Sequence, residues 1–297
     1  MLPFHIEKAI KHQNKMKNYI RLLRIQQWYK NLLIYLPLIF GGQLFNIDSL
    51  LNITLGFVSL CFISSANYII NDIVDLKNDK LHPEKSKRPL ASGKIAIKEA
   101  IFFALLSLVF SLAIALNLPF YFLLSVITIF MLTQIYSLYL KNIIFVDIIL
   151  IGINFVIRTI SGFFIIDVPF SPWLIICPFF LALFLSIGKR ESEARFIKNA
   201  HNNKDILKHY TPELTNALMM VSVISLVMTY TLFTFLSQYP LLILTLPVGV
   251  YAIFRYFSLI YNGSIIARQP EKMIKDKPMI ISLLIWLFLV FFIIYAI

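Results

Sequence analysis

Charge is scarce in this chain. Only 14% of its 297 residues are Asp, Glu, Lys or Arg, against 59% hydrophobic residues and a mean hydropathy of +0.80. A soluble domain carries about 25% charged residues, so this composition excludes one and indicates a polytopic membrane protein. Cysteine is scarcer still. Cys61 and Cys177 are the two in the chain, too few for a disulfide framework and without metal-ligand spacing, which leaves them as inert packing residues. Five histidines fall in flanking loops, with only His82 near a candidate site, so the commonest general base is nearly missing. The basic N-terminus leads into no apolar core with a cleavage site and is not a signal peptide. No internal repeat of the kind common in transporters is visible.

Long apolar runs are what the chain has. Segments near 32–46, 50–71, 99–117, 119–140, 143–166, 172–188, 214–236, 240–261 and 279–297 approach the ~20 residues that cross a bilayer core. They predict an all-α fold of about nine transmembrane helices in a single domain over 31–297. Pro37 interrupts the first of them. Residues 1–30 predict an amphipathic surface helix, with Ile20, Leu23 and Ile25 toward lipid and Lys8, Lys11, Lys15 and Lys17 toward lipid phosphates.

A net charge of +12 suggests nucleic acid, but the distribution excludes it. All but one of the 27 Lys and Arg lie in the N-terminal segment, in 72–98, at Lys141, in 189–208 and in 255–277. The alternate loops, "GGQLFNIDS", "NLP", "DVPFSP" and "SQYP", hold none. By the positive-inside rule the N-terminus and long loops are cytoplasmic and the C-terminus is outside.

The end of the second run reads "NYIINDIVDLKNDKLHPEKSKRPLASGK". On one helix, Asn71, Asp72, Asp75 and Asp79 sit at roughly 0°, 100°, 40° and 80°, on one face. Carboxylates so placed repel one another unless a cation joins them. Oxygen ligands without His or Cys favour Mg²⁺, which binds through one or two carboxylates plus substrate phosphates. The expected metal ligands are therefore Asp72, Asp75 and Asp79, and the expected substrate carries a diphosphate. Lys85, Lys87, Arg88 and Lys94 follow in a loop broken by Pro83 and Pro89. Lys85 and Arg88 are the candidates to stabilise the departing phosphates; Lys87 and Lys94 read equally well as plain loop charge.

"NDIVDLKND" resembles the NDxxDxxxD motif of the UbiA-type intramembrane prenyltransferase superfamily. That resemblance implies nine helices, a cytoplasm-facing cavity and Mg²⁺-diphosphate binding by two acidic motifs. The chain departs from the second motif: after the sixth run it has "SIGKRESEAR", with Lys189, Arg190, Glu191, Glu193 and Arg195, a largely cationic loop that suits direct phosphate binding. "RIQQWYKNLLIY" adds Trp28, Lys30 and Asn31, and the turn after the fourth run adds Tyr136, Lys141, Asp147 and Arg158. "FRYFSLIYNGSIIARQPEKMIKDKPM" adds Arg255, Glu271, Asp276 and Lys277. Together these are similar to the polyprenyl-phosphate phosphoribosyltransferase branch.

This resemblance implies phosphoribosyl diphosphate as donor and a polyprenyl phosphate as acceptor, in contact with membrane lipids. It gives substrate-binding roles to Lys30, Asn71, Tyr136, Lys141, Asp147, Lys189, Arg190 and Glu193, and catalytic roles to Asp72, Asp75, Asp79, Lys85 and Arg88. A phosphate monoester acceptor, with its second pKa near 6, needs cations and no base, in keeping with the poverty in histidine. The alternative is a conventional prenyltransferase acting on an aromatic or other small acceptor. Within the membrane, Asp147, Asn154 and Arg158 share a helix face at roughly 0°, −20° and 20°. Insertion cost requires that face to point inward, with Arg158 either a buried structural residue or part of a cavity.

Overall fold

The computed structural model describes residues 15–198 and 210–296, and every regular element among them is helical. Residues 15–22 form α1. A 3₁₀ run, Ile25–Tyr35, leads into α2 (Leu36–Phe40). The long helices are α3 (Ile47–Val74), α5 (Ile97–Ala115), α6 (Phe120–Leu138), α7 (Val146–Phe163), α8 (Trp173–Lys198), α9 (Pro212–Leu236), α10 (Leu246–Tyr261) and α12 (Lys277–Tyr295), with short α4 (Leu76–Leu81) and α11 (Ile265–Arg268) between them. Among the described residues eight segments are long and apolar enough to span a bilayer, and the protein is integral to the membrane.

The first expected span differs from the rest. Pro37 lies in the first turn of α2, where its missing N–H costs nothing, and its ring disfavours α geometry in the residue before it. The eleven residues preceding α2 are 3₁₀. At about 2.0 Å per residue, against 1.5 Å for the five α-helical ones, the segment extends roughly 30 Å, the thickness of the hydrocarbon core. Nine apolar elements result among the described residues, seven of them α-helical spans, one a 3₁₀ run Pro240–Thr245 continued by α10, and one this mainly 3₁₀ segment. The predicted cationic loop also differs, because "GKRESEAR" continues α8 to Lys198. Glu, Lys, Arg and Ala are good helix formers, and nothing after Gly188 breaks the helix.

Contacts divide the chain into two compact units, one of residues up to Asn31 plus Thr54–Leu138, the other of Leu32–Ile53 plus Tyr139 onward. In the first, a stripe of small residues on α5, Ala100, Ala104, Ser107, Ser111 and Ala115, is buried. Small residues let membrane helices approach closely. Ser59 Oγ donates to the Ser111 carbonyl at 2.9 Å and Ser111 Oγ to the Ser59 carbonyl at 2.8 Å, locking α3 to α5. Leu22, Ile69, Leu90 and Ile95 fill the core beside them.

In the second unit α7 packs on α8 around Gly152, where an added β-carbon would stand 2.8 Å from the Phe179 ring. Gly162 is tighter: a β-carbon there would stand 2.3 Å from the Ile34 carbonyl oxygen, and backbone cannot yield as a side chain can. Gly162→Ala therefore destabilises the protein by about 1–3 kcal/mol, the cost of overpacking, read as a lowered midpoint of thermal unfolding in detergent.

The start of α12 is fastened by charge. Asp276 Oδ1 accepts the Met279 amide at 3.0 Å, and Arg255 grips the carboxylate with Nε at 3.0 Å and a terminal nitrogen at 2.7 Å. The Arg255 guanidinium holds this carboxyl below the usual carboxylate range. A group depressed on folding stabilises above its unfolded pKa, about 4, and loses that contribution as pH falls through the folded value. Thermal stability thus declines as pH falls below about 4, and Asp276→Asn removes this pH-dependent component while leaving the cap acceptor in place.

Candidate active site

α3 carries Asp72 in its last turn, and α4, starting just past Asp75, carries Asp79. The amides of Asp75 and Asp79 still bond the carbonyls four residues back, at 2.9 and 2.8 Å. The helical path is therefore nearly continuous, and residues seven apart share a face. Asp72 and Asp79 are each only 3% exposed. They meet on one nitrogen of Arg88, which donates to Asp72 Oδ1 at 3.0 Å and to Asp79 Oδ2. Arg24 donates to the same Asp72 oxygen. Its guanidinium carbon lies 4.8 Å from the centre of the Tyr68 ring, a cation–π stack. Arg24 has φ +50, a left-handed backbone rare outside glycine and enriched at functional sites.

The expected three-carboxylate cage is not what forms. Among the described residues no three His, Cys, Asp or Glu converge as metal ligands. The backbone departs from regular helix at Asp75, with φ −84 and ψ 3, and the convergent members are Asp72 and Asp79. A buried, oxygen-only pair still fits Mg²⁺, which asks a protein for one or two carboxylates and takes the rest from phosphates and water.

The other predicted residues of this unit are spread over the 3₁₀ run, α3, α6 and the loop after α4. Asn71 accepts from Ser137 Oγ, tying α3 to α6 one residue past half-buried Tyr136. Lys30 Nζ is 3.5 Å from Tyr68 Oη, on the tyrosine that stacks on Arg24. Trp28 donates to Ser65 Oγ at 3.0 Å, and Asn31, fully buried, contacts Cys61 and Ser64. Lys85 is half-buried, while Lys87 and Lys94 are exposed. His82 Nδ1 accepts the amides of Glu84 and Lys85 at 3.2 and 3.3 Å, which makes it a turn residue. His5, His12, His201 and His209, with Lys8, Lys11 and the Arg195 side chain, lie outside the described residues.

In the second unit Asp147, at the start of α7, is 0% exposed. Arg190 Nε donates to its Oδ2 at 2.9 Å, and Tyr210 Oη donates to its Oδ1 at 2.6 Å. Burial, then this bond to Asp147, pushes the Tyr210 hydroxyl well above its usual range, so it stays protonated and a donor. Arg190 also reaches Glu193 Oε2 at 3.3 Å, and Lys189 Nζ lies 3.9 Å from Glu193 Oε1. The cationic segment is thus balanced: two carboxylates hold two cations. Arg190 is fixed between Asp147 and Glu193, and Lys189, with a side chain 46% exposed, is the more accessible. Neighbouring Glu191 is buried and accepts from Thr215. Lys141 is half-buried in the 3₁₀ turn Leu140–Asn142.

Arg158 is buried and donates to the Asn154 carbonyl at 2.8 Å and to its side-chain oxygen at 3.2 Å. Arg255 and Asp276 are the α12 fastening described above; Glu271 is half-buried and Lys277 exposed.

Sequence reasoning missed Arg24 and Tyr210. Each reaches an aspartate far along the chain, 48 and 63 residues away. Proximity to the residues of the acidic and cationic motifs appears only in the folded chain.

Comparison with known proteins identifies the family of the chain. A profile of the UbiA prenyltransferase family matches residues 36–264. The decaprenyl-phosphate phosphoribosyltransferase of Corynebacterium glutamicum is 28% identical over 295 residues, covering 95% of this chain and 88% of that protein. An uncharacterized protein, y4nM, of Sinorhizobium fredii is 34% identical over 193 residues, 65% of this chain but only 37% of that protein, so the chain spans little more than a third of that relative's length. Among solved structures, a UbiA homolog from Archaeoglobus fulgidus bound to DMAPP and Mg²⁺ superposes with a TM-score of 0.71 at 22% identity, covering 94% of this chain and 100% of that one. With its acidic motif at the end of a spanning helix and an all-helical membrane fold, the chain belongs to the UbiA prenyltransferase family.

Proposed function

We propose that the protein transfers a 5-phosphoribosyl group from phosphoribosyl diphosphate to a polyprenyl phosphate at the cytoplasmic face of the membrane, releasing diphosphate. The observation that carries this reading is the second cluster. Where a two-motif enzyme of the superfamily would place another acidic metal arm, this chain has Arg190 clamped between Asp147 and Glu193, beside accessible Lys189. Such a group suits a phosphate acceptor. The similarity to the decaprenyl-phosphate phosphoribosyltransferase of Corynebacterium glutamicum over nearly the whole chain supports the same choice.

Asp72 and Asp79 would hold Mg²⁺ together with the donor's diphosphate, with Asp75 in support. When bound, the ion draws charge onto the departing diphosphate. Arg88, already aimed at both carboxylates, and Lys85 neutralise the same oxygens. Asn71, fixed by Ser137, keeps the acidic end of α3 in place. The anomeric carbon gains oxocarbenium character and an oxygen of the lipid phosphate attacks from the opposite side, inverting the centre. Lys141 and Lys189, both in the second unit, neutralise the lipid phosphate. Asp147 orients Arg190. No general base is required, because the acceptor is largely dianionic at neutral pH. Positioning and electrostatics carry the catalysis.

The test pairs substrates. Purified protein receives labelled phosphoribosyl diphosphate with a polyprenyl phosphate, or labelled prenyl diphosphate with an aromatic acceptor, each with and without EDTA. Label entering the lipid from the first pair, and only with metal present, is the expected result. Transfer from the second pair alone establishes the conventional prenyltransferase instead.

A further inference from the structure

We propose that Arg24 and Arg88 are resident counter-ions that make metal binding conditional on the diphosphate. They neutralise Asp72 and Asp79 until a divalent cation arrives together with its anion, whereupon both guanidinium groups transfer to that anion. The inference rests on the reading above only in assigning a metal-chelated diphosphate to this cluster; it is indifferent to what group the diphosphate carries.

The charges make the case. Two buried carboxylates and two guanidinium groups sum to zero in the folded protein. Asp72 Oδ1 accepts from both arginines, and one Arg88 nitrogen spans Asp72 and Asp79. A bare divalent ion seeking these oxygens must break charge-assisted bonds and then sit beside two cations in a site of low polarity, where like charges repel strongly. The same ion with a diphosphate presents an anion to which both guanidinium forks can move, in the bidentate geometry that arginine offers phosphate. Metal and diphosphate therefore bind as a pair.

Arg24 is built for this exchange. Its backbone is left-handed at φ +50, its guanidinium lies against the Tyr68 ring at 4.8 Å, and the ring's hydroxyl meets Lys30 at 3.5 Å. The tyrosine provides a surface along which the guanidinium can shift without losing its cation–π contact. Arg24 is a positioning residue and precedes any chemistry.

The experiment measures binding, apart from turnover. Free Mn²⁺, standing in for Mg²⁺, is counted by electron paramagnetic resonance with the full chain in detergent, with and without inorganic pyrophosphate. The wild-type protein is expected to bind Mn²⁺ at least about tenfold more tightly with pyrophosphate, within the usual range of coupling between sites. Arg24→Asn, which tolerates left-handed backbone, raises affinity for Mn²⁺ alone by about tenfold and shrinks the enhancement correspondingly. Arg24→Lys, which keeps the charge but loses the fork, gives an intermediate value and serves where the Asn variant is not recovered. Unchanged Mn²⁺ affinity in the Arg24 variants, or a wild type that binds the ion equally well alone, overturns the counter-ion role while leaving metal-diphosphate binding intact. No Mn²⁺ binding in any protein, even with pyrophosphate, overturns both.

Discussion

Asp72→Asn lowers phosphoribosyl transfer by about a thousandfold or more while the protein still inserts and purifies. The estimate follows from what is lost. A metal at a developing charge is worth several kcal/mol of transition-state stabilisation, and about 4 kcal/mol is a thousandfold in rate. Asp72 is central because both Arg24 and Arg88 converge on one of its oxygens. The Asn substitution keeps the shape and an acceptor for the arginines, so the loss appears in metal-dependent donor binding and in kcat/KM rather than in folding. Asp79→Asn behaves in the same way, since it is equally buried and shares the Arg88 nitrogen. Lys87→Gln and Lys94→Gln, on exposed loop positions, change the rate less than about twofold, as expected for surface substitutions away from a site. A substantial loss in the loop variants with full activity in Asp72→Asn would relocate the site.

Arg190→Ala is the second large effect, and it is structural as well as functional. It strips Asp147, which is 0% exposed, of its charged partner and leaves only the Tyr210 hydroxyl. Removing one partner of a buried pair costs about 3–5 kcal/mol, because the other charge remains uncompensated. The unfolding midpoint in detergent falls, and Arg190→Lys does not restore it, since an ammonium lacks the fork that reaches Asp147 and Glu193 together. Pairing Arg190→Gln with Asp147→Asn recovers much of the stability, because no lone buried charge is left, and recovers none of the affinity for polyprenyl phosphate. That non-additivity separates holding the fold from holding the substrate. Recovery of both together would reduce the cluster to a packing device.

Helix number, membrane character and the acidic motif were legible in the sequence for one reason: each is written in contiguous residues. Apolar runs announce spanning helices directly, and the two interface aspartates lie seven apart, within one helical path. What the sequence left open depends on contacts across long separations. Arg24 looks like one more basic residue in a basic segment, and Tyr210 like an ordinary tyrosine before a helix. Their meaning comes from Asp72 and Asp147. A uniform 100° per residue does not show the backbone break at Asp75, with φ −84 and ψ 3. The cationic segment was read as a loop because charge was weighed above helix propensity. Once it is helical, spacing of three and four residues brings Glu193 onto Arg190 and Lys189.

The most direct measurement is equilibrium binding of labelled phosphoribosyl diphosphate to the purified protein, with Mg²⁺ and with EDTA, in the wild type and in Asp72→Asn. Saturable binding in the wild type that requires Mg²⁺ and is lost in the variant is the predicted result. Binding that persists in EDTA, or that survives unchanged when Asp72 is neutralised, would contradict it.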